Sequence, residues 1–290
     1  MFKIDNAVIL AAGTSSRFAP LSYEKPKALI EVKGEILIER QIRQLREAGI
    51  SDIYVVTGYK AEGMIYLQKK FGVQLCFNPD YRIRNNNSSI WRIKDVLHNT
   101  YICSADNYFS KNPFENQAED SYYSAVFSEG ETSEWCLHED DEGYIDHVSI
   151  SGEHAWYMLG HTFWNEEFSK IFIEILEQEY ALPETADKLW ESIYMEHLDR
   201  LKMKIRKYPS DMIFEFDTLD ELRKFDRSYV EDTRSVIVKE IAKELKISES
   251  DITNIRALKT DGNEAAGFRF TAENVKYHYL YKEHSLKKEG

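Results

Sequence analysis

The chain has 290 residues, 43% of them hydrophobic and 13% aromatic, and carries a net charge of −13. That length supports one large core with an appendage, and the composition is that of a globular protein rather than a disordered one. An acidic balance with no basic block excludes nucleic acid as a main partner, and the lack of any apolar run of membrane-spanning length excludes a membrane protein.

In chain order, the apolar run from Ala7 to Ala12 reads as a buried first strand. It opens into a loop of Gly13, Thr14, Ser15 and Ser16, then Arg17, and Glu24-Lys25-Pro26-Lys27 follows. Small residues let backbone N–H groups approach phosphate oxygens, while Arg17 and Lys27 add fixed positive charge around the same anion. The combination suggests a triphosphate held for attack at one phosphorus. It is neither a P-loop, since no G-K-[ST] follows the glycine, nor a dinucleotide fingerprint, since G-x-G-x-x-G is absent.

Gly34 to Ala48 reads as an amphipathic helix stopped by Gly49, Asp52 to Tyr59 as a second buried strand, and Glu62 to Phe71 as a helix. A strand from Val73 to Phe77, a helix from Ser88 to Leu97 and a strand from Tyr101 to Ala105 follow, the last running into Asp106. This alternation predicts an α/β, doubly wound, mostly parallel sheet with its ligand at the carboxyl ends of the strands, where the Gly13 loop and Asp106 both fall. Antiparallel strands are expected at Tyr122 to Glu129, Trp135 to Glu139 and Tyr144 to Ile150, with the acidic run Glu139 to Glu142 as a solvated hairpin tip.

Helices are expected at Asn165 to Tyr180 and Thr185 to His197, then a strand Ile213 to Asp217 and a helix Leu219 to Asp226. A charged helix Val230 to Leu245, a start signal at Ser248 to Asp251 and a hairpin Ala265 to Tyr281 complete the chain. The reading is therefore a domain over residues 1–228 and a small α+β module over residues 229–290. Three cysteines without metal-ligand spacing read as buried hydrophobes in a reducing compartment. With the first strand starting at once, no signal peptide is expected, and the expected location is cytoplasmic. An oligomer is compatible with this reading but not indicated by it.

Asp106 and Asp217 sit at strand ends, with Glu215 two positions before Asp217 and so on the same side of its strand. Mg²⁺ takes a few carboxylates plus phosphate oxygens and water, and Asp106 and Asp217 could supply the carboxylates.

Leu10, Ala11, Ala12, Gly13, Arg17, Pro20, Pro26 and Lys27 together resemble the nucleotidyltransferase superfamily signature L-A-A-G-x-x-x-R-x-x-P…P-K. From Asn78 onward the chain is similar to the bacterial CTP:phosphocholine cytidylyltransferase branch. The matching stretches are NPDY…NNNSSIW, SADNYF, SEW, LGHTFW, ADKLWE and FEFDTLDELRK, within residues 1–228. The resemblance implies a Rossmann-like nucleotidyltransferase fold and Mg²⁺-dependent formation of CDP-choline and pyrophosphate from CTP and phosphocholine. It places Ala12, Gly13 and Arg17 on the CTP phosphates, and Lys27 where charge develops at the transferred phosphorus. Asn85, Asn86 and Ser89 fall where this branch holds the nucleoside, Leu10, Ala11, Thr14 and Ala105 complete the nucleotide-binding set, and Asp106 and Asp217 fall on the metal. Trp135, Trp190 and Tyr157, with Asp187 and Glu215, fall on the acceptor, whose trimethylammonium is recognised by aromatic faces and negative charge.

Trp91 and Trp164 read as core. Leu189 stands where this branch tends to carry a tyrosine. The same chemistry admits 2-aminoethylphosphonate or phosphoethanolamine as acceptor, or a sugar 1-phosphate; a nucleotide-binding regulator without catalysis is the non-enzyme alternative. The tail resembles the opening of a choline-kinase-like N-lobe, without a kinase catalytic loop and with no expected activity of its own.

Overall fold

The computed structural model describes residues 1–260 and 265–289; residues 261–264, inside the stretch that resembles a kinase N-lobe, lie outside the described residues. The chain groups into two units. One is Met1–Gly13 with Leu37–Glu215, and the other is Thr14–Ile36 with Phe216–Gly290. This grouping differs from the expected division at 228/229, because residues 14–36 and 216–228 cluster with the tail.

In the first unit the apolar runs become β1 (Asn6–Ala11) and β2 (Ile53–Thr57), covered on both faces as parallel strands require. Between them α1 (Leu37–Glu47) buries Leu37, Ile38, Ile42 and Leu45 along one stripe and ends at Gly49, whose φ of 86° suits glycine. The elements α2 (Tyr66–Phe71), β3 (Gln74–Phe77), α3 (Asn87–Ile93) and β4 (Thr100–Ser104) follow as the alternation predicts.

The chain then builds an antiparallel wing from β5 (Tyr122–Thr132), β6 (Cys136–Glu139), β7 (Ile145–Ser149) and β8 (Gly152–Trp164). Two helices, α4 (Glu166–Glu179) and α5 (Trp190–Glu196), and the strand β9 (Lys204–Tyr208) complete it. The nine-stranded sheet runs β7-β6-β8-β4-β1-β2-β3, with β5 paired to β8 and β9. Its β4-β1-β2-β3 centre is parallel throughout, and β8 joins antiparallel to β4. The fold is the Rossmann-like nucleotidyltransferase architecture.

Two strands, β8 and β9, were not expected from the pattern. The first half of β8, GEHAWYM, faces solvent in part and so lacks a clean apolar alternation, and β9 (KIRKY) is mostly charged. The expected strand Ile213 to Asp217 is shorter: only Ile213–Phe214 pairs, antiparallel to Tyr108–Phe109. The expected helix from Thr185 is a single turn, Pro183–Thr185, before α5 begins at Trp190.

In the second unit α6 (Leu219–Phe225) starts with a capping box from Thr218 and Glu221. The charged helix predicted from Val230 is interrupted. A short turn, Ser228–Glu231, precedes α7 (Val236–Leu245), whose N-cap is Ser235. The predicted hairpin is the middle of a four-stranded antiparallel sheet in the order β10 (Thr253–Lys259), β11 (Ala265–Ala272), β12 (Val275–Leu280) and β13 (Ser285–Lys288). Gly267 on β11 lets β12 come close, since a Cβ there would lie 1.9 Å from the Tyr279 carbonyl oxygen. Buried Phe268 anchors this sheet against the rings of Phe270, Tyr279 and Tyr281.

Candidate active site

The end of β1 is fixed by its neighbours in the first unit. Leu10 O accepts from Ala105 N (3.1 Å) and Ala12 O accepts from Tyr59 N (3.0 Å). Gly13 itself is exposed, and a Cβ added there would meet no atom within 4 Å. The protein's own packing therefore does not demand glycine at this position; close approach of a phosphate would.

In the second unit the loop continues through Thr14, exposed, and Ser15, whose backbone is left-handed with φ 45°. Here the structure brings together three of the expected catalytic residues. Arg17 Nη1 lies 2.6 Å from Asp217 Oδ2, and Lys27 Nζ lies 3.7 Å from Asp217 Oδ1. Lys27 is only 4% exposed whereas Arg17 is 73% exposed, so the lysine is a buried charge and the arginine one open to solvent. Asp217 holds its place because its own N–H and that of Thr218 both donate to Glu221 at the start of α6 (2.7 and 3.1 Å).

Asp106 lies in the turn after β4, in the first unit. Gln41, buried on α1, orders that turn by donating from one amide nitrogen to Ser104 O (2.8 Å) and Asn107 O (2.9 Å). Asn107 in turn donates to Glu215 (3.4 Å). Asp106 in the first unit and Asp217 in the second are each a hard oxygen donor, the ligand type Mg²⁺ prefers. Among the described residues, Glu179, Glu196 and His197 form a separate cluster of ligand type. It is an ion-pair network, with Lys188 2.5 Å from Glu196 and His197 2.8 Å from Glu179.

The expected acceptor residues Trp135 and Tyr157, also in the first unit, are adjacent: Met158 N donates to Trp135 O (2.8 Å), and Tyr157 pairs with Cys136 in the sheet. Burial pushes the Tyr157 hydroxyl pKa up, and the charges of Glu134 and Glu215 push it the same way. Half-buried rings thus stand beside exposed carboxylates. Asp187 is exposed, and its carbonyl accepts from Asn85 Nδ2 (3.1 Å).

Three expectations change. Trp190 is 2% exposed and packs on Tyr123, Trp164 and Phe172, so its ring is core rather than a face presented to an acceptor. Asn86 uses both ends of its amide within the protein, accepting from Trp190 N (2.7 Å) and donating to Glu191 (3.0 Å). Ser89 is buried with its hydroxyl accepting from Asn78 (3.2 Å). Asn86 and Ser89 therefore tie α3 to the first residues of α5 and to Asn78 just after β3, so part of their hydrogen-bonding capacity is spent within the protein.

The sequence reading passed over Glu191. Its carboxyl pKa is pushed up from 4.5 to about 7 by desolvation, although hydrogen bonds from Asn86 and Tyr123 oppose the shift. Tyr123, buried against it, is held protonated by burial and by the Glu191 and Glu215 charges.

Residues 7–102 match the MobA-like NTP transferase domain. The choline-phosphate cytidylyltransferase of Streptococcus pneumoniae is 34% identical over 76% of this chain and 96% of its own. The 2-aminoethylphosphonate cytidylyltransferase of Lancefieldella rimae is 33% identical over 78% of this chain and 93% of its own. The solved structure of the S. pneumoniae CTP:phosphocholine cytidylyltransferase superposes with a TM-score of 0.74 at 32% identity, covering 78% of this chain and 99% of that one. By these matches the chain belongs to the nucleotidyltransferase superfamily, within the CTP:phosphocholine cytidylyltransferase branch.

Proposed function

We propose that the protein transfers CMP from CTP to phosphocholine. A phosphocholine oxygen bonds to the α-phosphorus in line as the bond to the β-phosphate oxygen breaks, giving CDP-choline and pyrophosphate. An ionised phosphate needs no general base, so catalysis consists of positioning and charge neutralisation. Lys27, buried, meets the charge that develops at the transferred phosphorus. Arg17, open to solvent, exchanges its pairing with Asp217 for the triphosphate. Main-chain groups from Leu10 to Thr14 cradle the phosphates. Asp106 and Asp217 would hold Mg²⁺, which when bound offsets phosphate charge.

The grouping of Trp135, Tyr157 and Glu215 carries the acceptor assignment. A trimethylammonium donates no hydrogen bond and is attracted to ring faces and diffuse negative charge. Asp187 belongs to the same proposed acceptor side. A second reading has a specific observation behind it: with Trp190 in the core and Leu189 beside it, only two rings, Trp135 and Tyr157, stand against the two carboxylates Asp187 and Glu215, a balance that suits the primary ammonium of 2-aminoethylphosphonate or phosphoethanolamine.

Pyrophosphate release from CTP with phosphocholine, phosphoethanolamine, 2-aminoethylphosphonate and glucose 1-phosphate, side by side, tests the assignment. The expected result is the highest kcat/KM with phosphocholine. A large preference for a primary amine transfers the assignment to the second reading, and activity with glucose 1-phosphate alone overturns both.

A further inference from the structure

Within the second unit, the segment that carries Lys27 is held by residues some two hundred positions later in the chain. The Glu24 carboxylate accepts from Ser235 Oγ (2.7 Å), Ile237 N (3.0 Å) and Val236 N (3.2 Å). The two backbone donors belong to the first turn of α7, where a helix leaves N–H groups without internal partners, and Ser235 covers the next one by accepting from Val238 N (3.1 Å). A negative side chain is favoured at that end of the helix dipole. Beside Glu24, the Tyr23 ring stacks on Tyr281 with centroids 3.7 Å apart and planes 3° from parallel.

Beyond Lys27 the same segment is anchored again. Tyr229 Oη donates to Glu31 O (2.6 Å), Arg234 pairs with the Glu31 carboxylate (3.1 Å), and Lys33 N donates to Asp226 (2.7 Å). Lys27 thus lies on a short stretch pinned at both ends by residues from the tail.

We propose that the 216–290 segment is a clamp that sets the position of Lys27, with Glu24 and Tyr281 as positioning residues acting through that lysine. This rests on the cytidylyl-transfer reading above. Charge stabilisation depends on placement, and a misplacement of about 1 Å costs on the order of 100-fold in rate. The clamp therefore acts on kcat more than on nucleotide affinity.

The test uses the full-length enzyme with Glu24→Gln, Glu24→Ala, Tyr281→Phe and Tyr281→Ala, each alone and combined with Lys27→Ala. Glu24→Ala and Tyr281→Ala should lower kcat per folded enzyme roughly 10- to 100-fold with little change in KM for CTP. Glu24→Gln should fall between, and Tyr281→Phe, which keeps the stacked ring, should retain most activity. In the Lys27→Ala background the added losses should vanish, because residues that act through one group are not additive with its removal.

A purely architectural role would instead lower Tm and leave kcat per folded enzyme unchanged, and a kcat loss that acts apart from Lys27 would multiply with Lys27→Ala; either of these two kcat results overturns the proposal. A second readout needs no turnover. The NMR signal of the Lys27 ε-methylene, identified by its loss in Lys27→Ala, should shift in Glu24→Ala, and an unmoved signal also overturns the clamp. If no acceptor releases pyrophosphate, the transfer reading fails, while the NMR result still decides the clamp.

Discussion

A buried ammonium is costly without an opposite charge nearby, and the Asp217 carboxylate lies within reach of both Lys27 and Arg17. That sharing predicts the outcome of Lys27→Ala. Asp217 keeps Arg17 as its partner, so the protein stays folded, whereas turnover falls roughly 10²–10³-fold, the range for removing one preorganised charge-stabilising donor. CTP affinity measured by calorimetry should change far less; a collapse of binding with unchanged kcat in the bound fraction would reduce Lys27 to a phosphate anchor. Glu191 gives a pH signature instead. Its folded pKa is raised to about 7 from 4.5, so its contribution to stability is complete below 4.5 and is lost as pH rises through 7. Glu191→Gln should flatten the decline of Tm across that window and raise Tm at pH 8 relative to the parent. The loop, Arg17 and Lys27 were legible because their residue types are dictated by phosphate chemistry. Glu191 was not, because burial is decided by Tyr123 and Asn86, 68 and 105 residues away in sequence.

At the scale of elements, the parallel centre of the sheet was readable from uninterrupted apolar runs such as IYVVT, which have no polar face to confuse the period. The wing was harder: β8 and β9 owe their pairing to neighbours rather than to their own composition. Helix α1 shows how an element serves the site without touching the chemistry. Its apolar stripe was evident, but Gln41, placed among buried positions, was not recognisable as the residue that orders the Asp106 turn. Gln41→Leu preserves size and takes the side-chain donor away from the Ser104 and Asn107 carbonyls. It should cost about 1–3 kcal/mol of stability and lower kcat through a loosened Asp106 turn. Urea denaturation and pyrophosphate release, measured on the same preparations, check both; a stability loss with full kcat would show that the turn needs no such support.

For the whole molecule, the division between units was the least legible feature. Composition changes after Arg227, but the segment 14–36 joins the tail through single contacts, Glu24 to α7 and Tyr23 to Tyr281, that no local pattern announces. A unit assembled from two distant stretches should open as one. Phe268→Ala, which removes the ring at the centre of the β10–β13 sheet, should therefore speed amide exchange at Leu21–Glu24 together with that of β11; unchanged exchange at Leu21–Glu24 would show that the two stretches are not cooperative. The bond from Ser235 to Glu24 spans 211 positions, and synthesis is vectorial. A ribosome that has finished β9 has already released Lys27, yet Asp226, Tyr229 and Ser235, which bond to the segment around it, do not exist. Every nascent chain passes through a period in which Glu24 and Glu31 are present without these partners, which arrive only with the last quarter of the message.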